Sequence, residues 1–257
     1  MAIYNLNLPL LQENELLISY IERVAALNVL DEKAVCKLLK INYVSDVTIF
    51  QNIDFIKEAL GITVTTEKLL KEHTFFKLER LVMDAPEAEQ IANNVIFHKS
   101  PAYLRTLKMN LFSVCPICAK EDTKKHGHPI RYIHLCYPEV NACNKHKCNL
   151  ISNQPFKEIE NKAITEACNE DIKYSKWVYE FSKLKTKPLQ DFNGFLTSLY
   201  VNDWDNDNTF PNEEMKSFSY YVHHYGNCNN FSYNDRLRAL YYKFESVEEL
   251  KKVYNTK

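Results

Sequence analysis

Five of the chain's eight cysteines and four of its eight histidines lie between residues 113 and 150. This stretch, "SVCPICAKEDTKKHGHPIRYIHLCYPEVNACNKHKCNL", limits what the chain can become more than any other. Such density fits a disulfide framework, a catalytic metal, a structural metal or a coincidence of composition. The opening "MAIYNLNLPLLQENELL" has no basic stretch and meets Glu13 and Glu15 early, so it does not read as a secretory leader. No run of about 18 apolar residues suggests a membrane span. A reducing, cytoplasmic setting is therefore expected, where clustered Cys and His mark metal more often than disulfide.

Cys115 and Cys118 form C-P-x-C, a turn in which two thiolates face one ion. Cys143 and His146 repeat the spacing as C-x-x-H. Tetrahedral zinc takes four such ligands in two pairs. The 24 residues between Cys118 and Cys143 suit a strand-turn-strand insert, the outline of a small zinc ribbon. Cys136, Cys148, His126, His128 and His134 lie in the same stretch and can each replace one ligand. The repeated spacing favours the first four. A catalytic zinc keeps three protein ligands and an open position, whereas four close the shell. The H-x-E that accompanies P-C-x-x-C in zinc deaminases is missing. One structural Zn2+ is expected.

The rest of the chain reads as mainly α. It has only four glycines and no GxGxxG, P-loop, GxSxG or HExxH, which argues against a phosphate-cradling enzyme fold. Leu16, Leu17, Tyr20, Ile21, Val24 and Leu27 make one helical stripe, with Glu15, Glu22 and Arg23 on the polar side. A second helix starts at Asp31 and buries Val35, Leu38 and Leu39, with Cys36 a buried core thiol. A helix from about Ile53 to Leu60 ends at Gly61, and Thr65 or Thr66 caps a following one, the outline of a helix-turn-helix. Helical patterns return after the cluster, the last two capped at Asn234 and Ser246. Three stretches follow: a helical domain with the helix-turn-helix over 1–110, a zinc ribbon over 111–152, and a C-terminal helical domain over 153–257.

The formal net charge is −1, so any pull toward nucleic acid must be local. The cysteine-rich stretch provides it, with Lys120, Lys124, Lys125, Arg131, Lys145 and Lys147 against Glu121, Asp122 and Glu139. If the helix-turn-helix touches DNA directly, Thr65, Thr66, Lys68 and Lys71 face phosphates or base edges. Asp203, Asp205, Asp207 and Glu214 have the oxygen spacing of an EF-hand loop, but Asn208 replaces its Gly and Pro211 is unusual there. It reads as an acidic surface loop.

These features resemble the TniQ/TnsD family, which selects target sites for transposons. Cys115, Pro116, Cys118, Glu121, Asp122, Arg131, Cys143, His146 and Leu150 match its zinc motif. "LPLLQENELLISYIERVAALN" and "ALGITVTTEKLLKEHTF" are similar to its opening helix and helix-turn-helix. The usual Gly after the ligand His is Lys147 here, and a second cysteine knuckle pair is missing. The resemblance implies a non-enzymatic adaptor that joins target recognition to an AAA+ transposition regulator (TnsC-like). Recognition is by direct DNA binding or through an RNA-guided CRISPR effector. A homodimer is a further assembly to consider. Two other classes compete: a zinc-containing helix-turn-helix transcription regulator, and a metal-dependent nuclease built on His126, His128 or His134.

Overall fold

The computed structural model describes residues 6–39, 52–96, 113–137, 139–152, 159, 163–200, 218, 220, 222, 231–244 and 246–256. Among them the chain is helical, and extended pairing is confined to isolated antiparallel bridges. The candidate acidic loop from Asp203 to Glu214 lies outside the described residues, as does the Cys36 side chain. None of the described helices is long and apolar enough to cross a membrane.

The chain gathers into two compact units, each drawn from two stretches of sequence. Residues 1–77 join 91–182 in the first, and residues 78–90 join 183–257 in the second.

In the first unit, α1 (Leu17–Leu27) and α2 (Glu32–Leu38) are consecutive and packed together. The apolar stripe of α1 is buried as its periodicity requires, with Leu17, Ile21 and Val24 in the core. Its supposed polar side is not solvated. Glu15, Glu22 and Arg23 are buried too, because α1 is covered on more than one face and these charges are paired inside. Val35 and Leu39 are buried after α1, whereas Leu38 is exposed.

Next come α3 (Ile53–Ala59) and α4 (Thr66–His73). The chain leaves α3 through Gly61, whose φ of 59° is left-handed, a conformation glycine adopts without a Cβ clash. The Thr65 side chain accepts from the Lys68 amide and caps α4. Leu69 and Leu70 bury the helix, and His73 Nδ1 lies 3.0 Å from the Glu15 carbonyl oxygen. Two helices joined by a glycine turn thus stand where the sequence places them. The short α5 (Phe76–Glu79) and α6 (Ala85–Ile96) come next in sequence, and the division between the units falls within each of them.

That segment carries α7 (Pro116–His126) and the short α8 (Ile133–Cys136), and α9 (Asn169–Ser182) packs against α8. The expected strand-turn-strand insert is therefore absent from the described residues. Its place is taken by a helix with Cys115 as N-cap, Pro116 in the first turn and Gly127 as a left-handed C-cap at φ 76°. Proline fits a helix start, where its missing N–H has no partner to lose, and lysines and a histidine suit the last turn.

The second unit holds α10 (Phe192–Tyr200), α11 (Tyr233–Lys243) and α12 (Val247–Thr256). Its short upstream stretch is held by polar contacts. Asn193 donates twice to Asp84, at 3.0 and 2.7 Å, the Ala85 amide donates to Leu189, and Arg236 and Tyr254 donate to the carbonyls of Val82 and Leu81. The cap of α11 is Ser232, in a reciprocal box with Asp235, rather than Asn234. The Ser246 hydroxyl accepts from Glu249 and caps α12 as expected.

Candidate metal centre

Two tight turns bring the ligand atoms together. The first lies at the start of α7, where the Cys118 amide points at Cys115 Sγ from 3.4 Å. The second repeats it, with the His146 amide 3.4 Å from Cys143 Sγ. Backbone bridges hold the turns in place. Val114 pairs with Ile151 across the ends of the segment, and Ala142 pairs with Asn149 around the second turn. A third bridge, Cys148 with Glu166, backs that hairpin.

Cys115, Cys118, Cys143 and His146 offer ligand atoms that all lie within 4.8 Å of one another, with the three sulphurs buried. His146 Nδ1 is 3.3 Å from Cys115 Sγ, 3.3 Å from Cys118 Sγ and 3.7 Å from Cys143 Sγ. Cys118 Sγ and Cys143 Sγ are 3.9 Å apart. A tetrahedral zinc with bonds of about 2.3 Å to sulphur and 2.0 Å to nitrogen separates its ligands by roughly 3.5–3.8 Å. The group fits an ion of that size at its centre.

The electrostatics fit as well. Hydrogen bonds from the Cys118 and Cys143 thiols hold the Cys115 thiol well below the ordinary thiol range, while contacts with Cys115 and Cys143 push the Cys118 thiol up. A divalent ion among them lets all three sulphurs ionise.

The other candidate ligands are placed elsewhere. Cys148 Sγ sits 3.6 Å from Cys115 Sγ and is buried, yet it is not in the mutual group of four. The Cys136 thiol donates to the Ser113 carbonyl at 3.1 Å. His134 is buried with its ring 4.7 Å from that of Tyr179. His128 Nδ1 lies 2.9 Å from the Pro129 carbonyl oxygen.

The basic residues separate into three groups. Lys120, Lys124 and Lys125 are exposed on α7, and Lys145 and Lys147 are exposed around the second turn. Arg131 is a correction. It is only 3% exposed and its Nε donates to Glu22 at 2.9 Å, so it is a structural tie to α1 and unavailable to phosphate. On α4 the Thr66 hydroxyl donates to Asp54 and the Thr65 oxygen is spent on the cap. Lys68 is exposed and Lys71 half-buried, and each has a glutamate one turn away, Glu72 at 3.8 Å and Glu67 at 2.5 Å. Lys71 beside it holds the Glu67 carboxyl below the usual carboxylate range.

Residues missed by sequence reasoning are those that fasten this segment to α1. The Arg131 amide donates to Ser19 Oγ at 2.8 Å, the Leu16 amide to the Arg131 carbonyl at 3.0 Å, and the Ile133 amide to the Asn14 carbonyl at 2.9 Å. Tyr132 donates to Asp122 at 2.9 Å, tying α7 to the same strip. Burial pushes the Asp122 carboxyl up, and that bond opposes it.

A search of the curated proteins finds no match. The TniQ family model matches residues 8–150, more than half of the chain, from just before α1 to the bridge that closes the metal segment. The stretch it covers contains the helix-turn-helix outline, the four converging ligands and the strip that joins them. The chain belongs to the TniQ family and is a transposition-associated target-selection protein.

Proposed function

We propose that the protein is a non-enzymatic adaptor that carries one structural zinc and links target recognition to an AAA+ transposition regulator. The observation that supports this most is the closed ligand shell. Four donors of zinc type converge with three of them buried, which leaves no position for a reacting water. The nuclease alternative loses its histidines, since His134 is packed against Tyr179 and none of His126, His128 and His134 joins the group.

The surface that remains is electropositive over α7 and the second turn, and neutral over α4. Lys68 and Lys71 on α4 are matched by Glu67 and Glu72, so that face has little long-range attraction for phosphate. A neutral, charge-paired helix face is better suited to a protein, which favours delivery by a CRISPR effector or another protein over direct reading of DNA by α4. Lys120, Lys124 and Lys125 are the residues for the charged partner, either DNA or an acidic patch on the AAA+ regulator.

Two measurements test this. Purified protein should carry about one zinc per chain, and Cys143→Ser should lose it, whereas Cys136→Ser should retain it. Full retention in Cys143→Ser would overturn the ligand set. Changing Lys120, Lys124 and Lys125 to Ala should abolish recruitment of the AAA+ regulator at unchanged DNA affinity. Weaker DNA binding with a shallower salt slope would instead assign the surface to nucleic acid.

A further inference from the structure

Glu121 lies on α7 three residues beyond Cys118, on the solvent side of the ligand group. His146 presents Nδ1 to the three sulphurs and Nε2 to Glu121, whose Oε1 is 3.3 Å away. The other carboxylate oxygen takes Lys145 Nζ at 2.5 Å. One side chain from the first turn's helix therefore reaches both Lys145 and His146 of the second turn.

We propose that Glu121 is the positioning residue of the metal centre, acting through His146. When Nδ1 ligates an ion, the ring proton must sit on Nε2, and the carboxylate is placed to accept it. That bond selects Nδ1 as the donor atom, fixes the ring plane and makes the imidazole a stronger ligand. Lys145 has a place in the same arrangement. Three thiolates and a neutral imidazole around a dication leave the centre at −1, and the ammonium offsets the further charge that Glu121 adds beside it. The inference rests on the metal reading proposed above. Its rival is that Glu121 and Lys145 form an ordinary surface ion pair of little consequence.

The test is Zn2+ affinity of the full chain, measured by competition with a chromophoric chelator. Failure of the unaltered protein to hold Zn2+ would overturn the metal reading itself, before any variant is made. Given binding, Glu121→Ala should weaken it by about 10–100-fold, and Glu121→Gln, which retains an acceptor oxygen, should fall between. Lys145→Ala should stay within about threefold of the unaltered protein, as loss of a surface pair alone would. In a His146→Cys background, where a thiolate replaces the ring, adding Glu121→Ala should change nothing. Unaltered affinity in Glu121→Ala would overturn the proposal, and so would an equal loss with and without the imidazole. If His146→Cys takes up no metal, equal losses in Glu121→Ala and Lys145→Ala overturn it instead, and unequal ones support it.

Discussion

Val29 is 94% exposed and holds φ at 53°, a left-handed backbone that crowds a β-branched side chain. The turn after α1 imposes it, because the amides of Val29 and Leu30 fold back onto the carbonyls of Ala26 and Ala25. Lys147 holds the same φ of 53° immediately after the ligand His146, where the family usually has glycine. The left-handed penalty is about 1–2 kcal/mol, partly offset by the flexibility glycine adds to the unfolded chain. Val29→Gly should therefore raise stability by about 1 kcal/mol, read as a higher thermal midpoint, and Lys147→Gly should do the same in the zinc-loaded protein. Gly127 predicts the opposite. Its φ is 76° and an added Cβ would meet Leu27 Cδ2 at 3.0 Å, so Gly127→Ala should cost roughly 1–2 kcal/mol. At this scale the sequence was half legible. Gly61 announces its left-handed turn, but nothing about a valine or a lysine announces theirs.

Helix α1 is the element with the most to lose from a single charge change. Arg23 donates to Glu15 through Nε at 3.0 Å and Nη2 at 2.7 Å, and Glu22 accepts from Arg131, all with side chains almost fully buried. Removing one partner of a buried pair strands the other charge, at about 3–5 kcal/mol. Arg131→Met should lower the urea midpoint by that measure, and adding Glu22→Leu should recover a large part of it, a coupling visible in a double-mutant cycle. His73 adds a pH dependence on α4. Burial lowers its pKa below the ordinary 6.5, so it folds neutral against the Glu15 carbonyl. Below 6.5 the unfolded chain binds the proton that the folded chain resists. Stability is thus fully present above 6.5 and declines as pH falls toward the depressed folded value, and His73→Asn should flatten that slope. The partners of these residues explain what reading the sequence missed. Arg131 and Glu22 are 109 positions apart, so Arg131 looked like one more basic residue of its neighbourhood. The helical insert was a different kind of miss. Proline first, glycine last and lysines before it are ordinary helix signals in "PICAKEDTKKHG", and the expectation of a strand-turn-strand insert between the two turns overrode them.

Across the whole molecule, the convergence of Cys115, Cys118, Cys143 and His146 into a group that could hold a metal ion was the easiest feature to read, because all four lie within 32 residues and two spacings repeat. The compact units were not visible, since each is discontinuous along the chain. Chelation of the ion should expose what the first unit owes to it. On the metal reading proposed above, loss of the ion should loosen α7 and the second turn, and the strip from Arg131 to Ile133 fastens that segment to α1. Amide exchange in α1 should then quicken along with that in α7, while the amides of α11 and α12 in the second unit serve as the internal reference. Unchanged protection of α1 after full metal loss would show that its own packing suffices.

The Ser19–Arg131 bond closes a loop spanning 112 positions, and this has a consequence for the order of events during synthesis. Helix α1 leaves the ribosome long before its polar partner exists. At about 5–20 residues per second, the wait is on the order of ten seconds. The turns around Cys115 and Cys143 need only a short closure, which chain diffusion completes in far less than a second. The turns of this segment therefore close soon after they are made, and the strip at Arg131 is a piece that α1 must wait for. Through that interval Glu22 lacks the arginine that accompanies its burial, and it keeps a charge in water beside the apolar run of Leu16, Leu17, Ile21 and Val24.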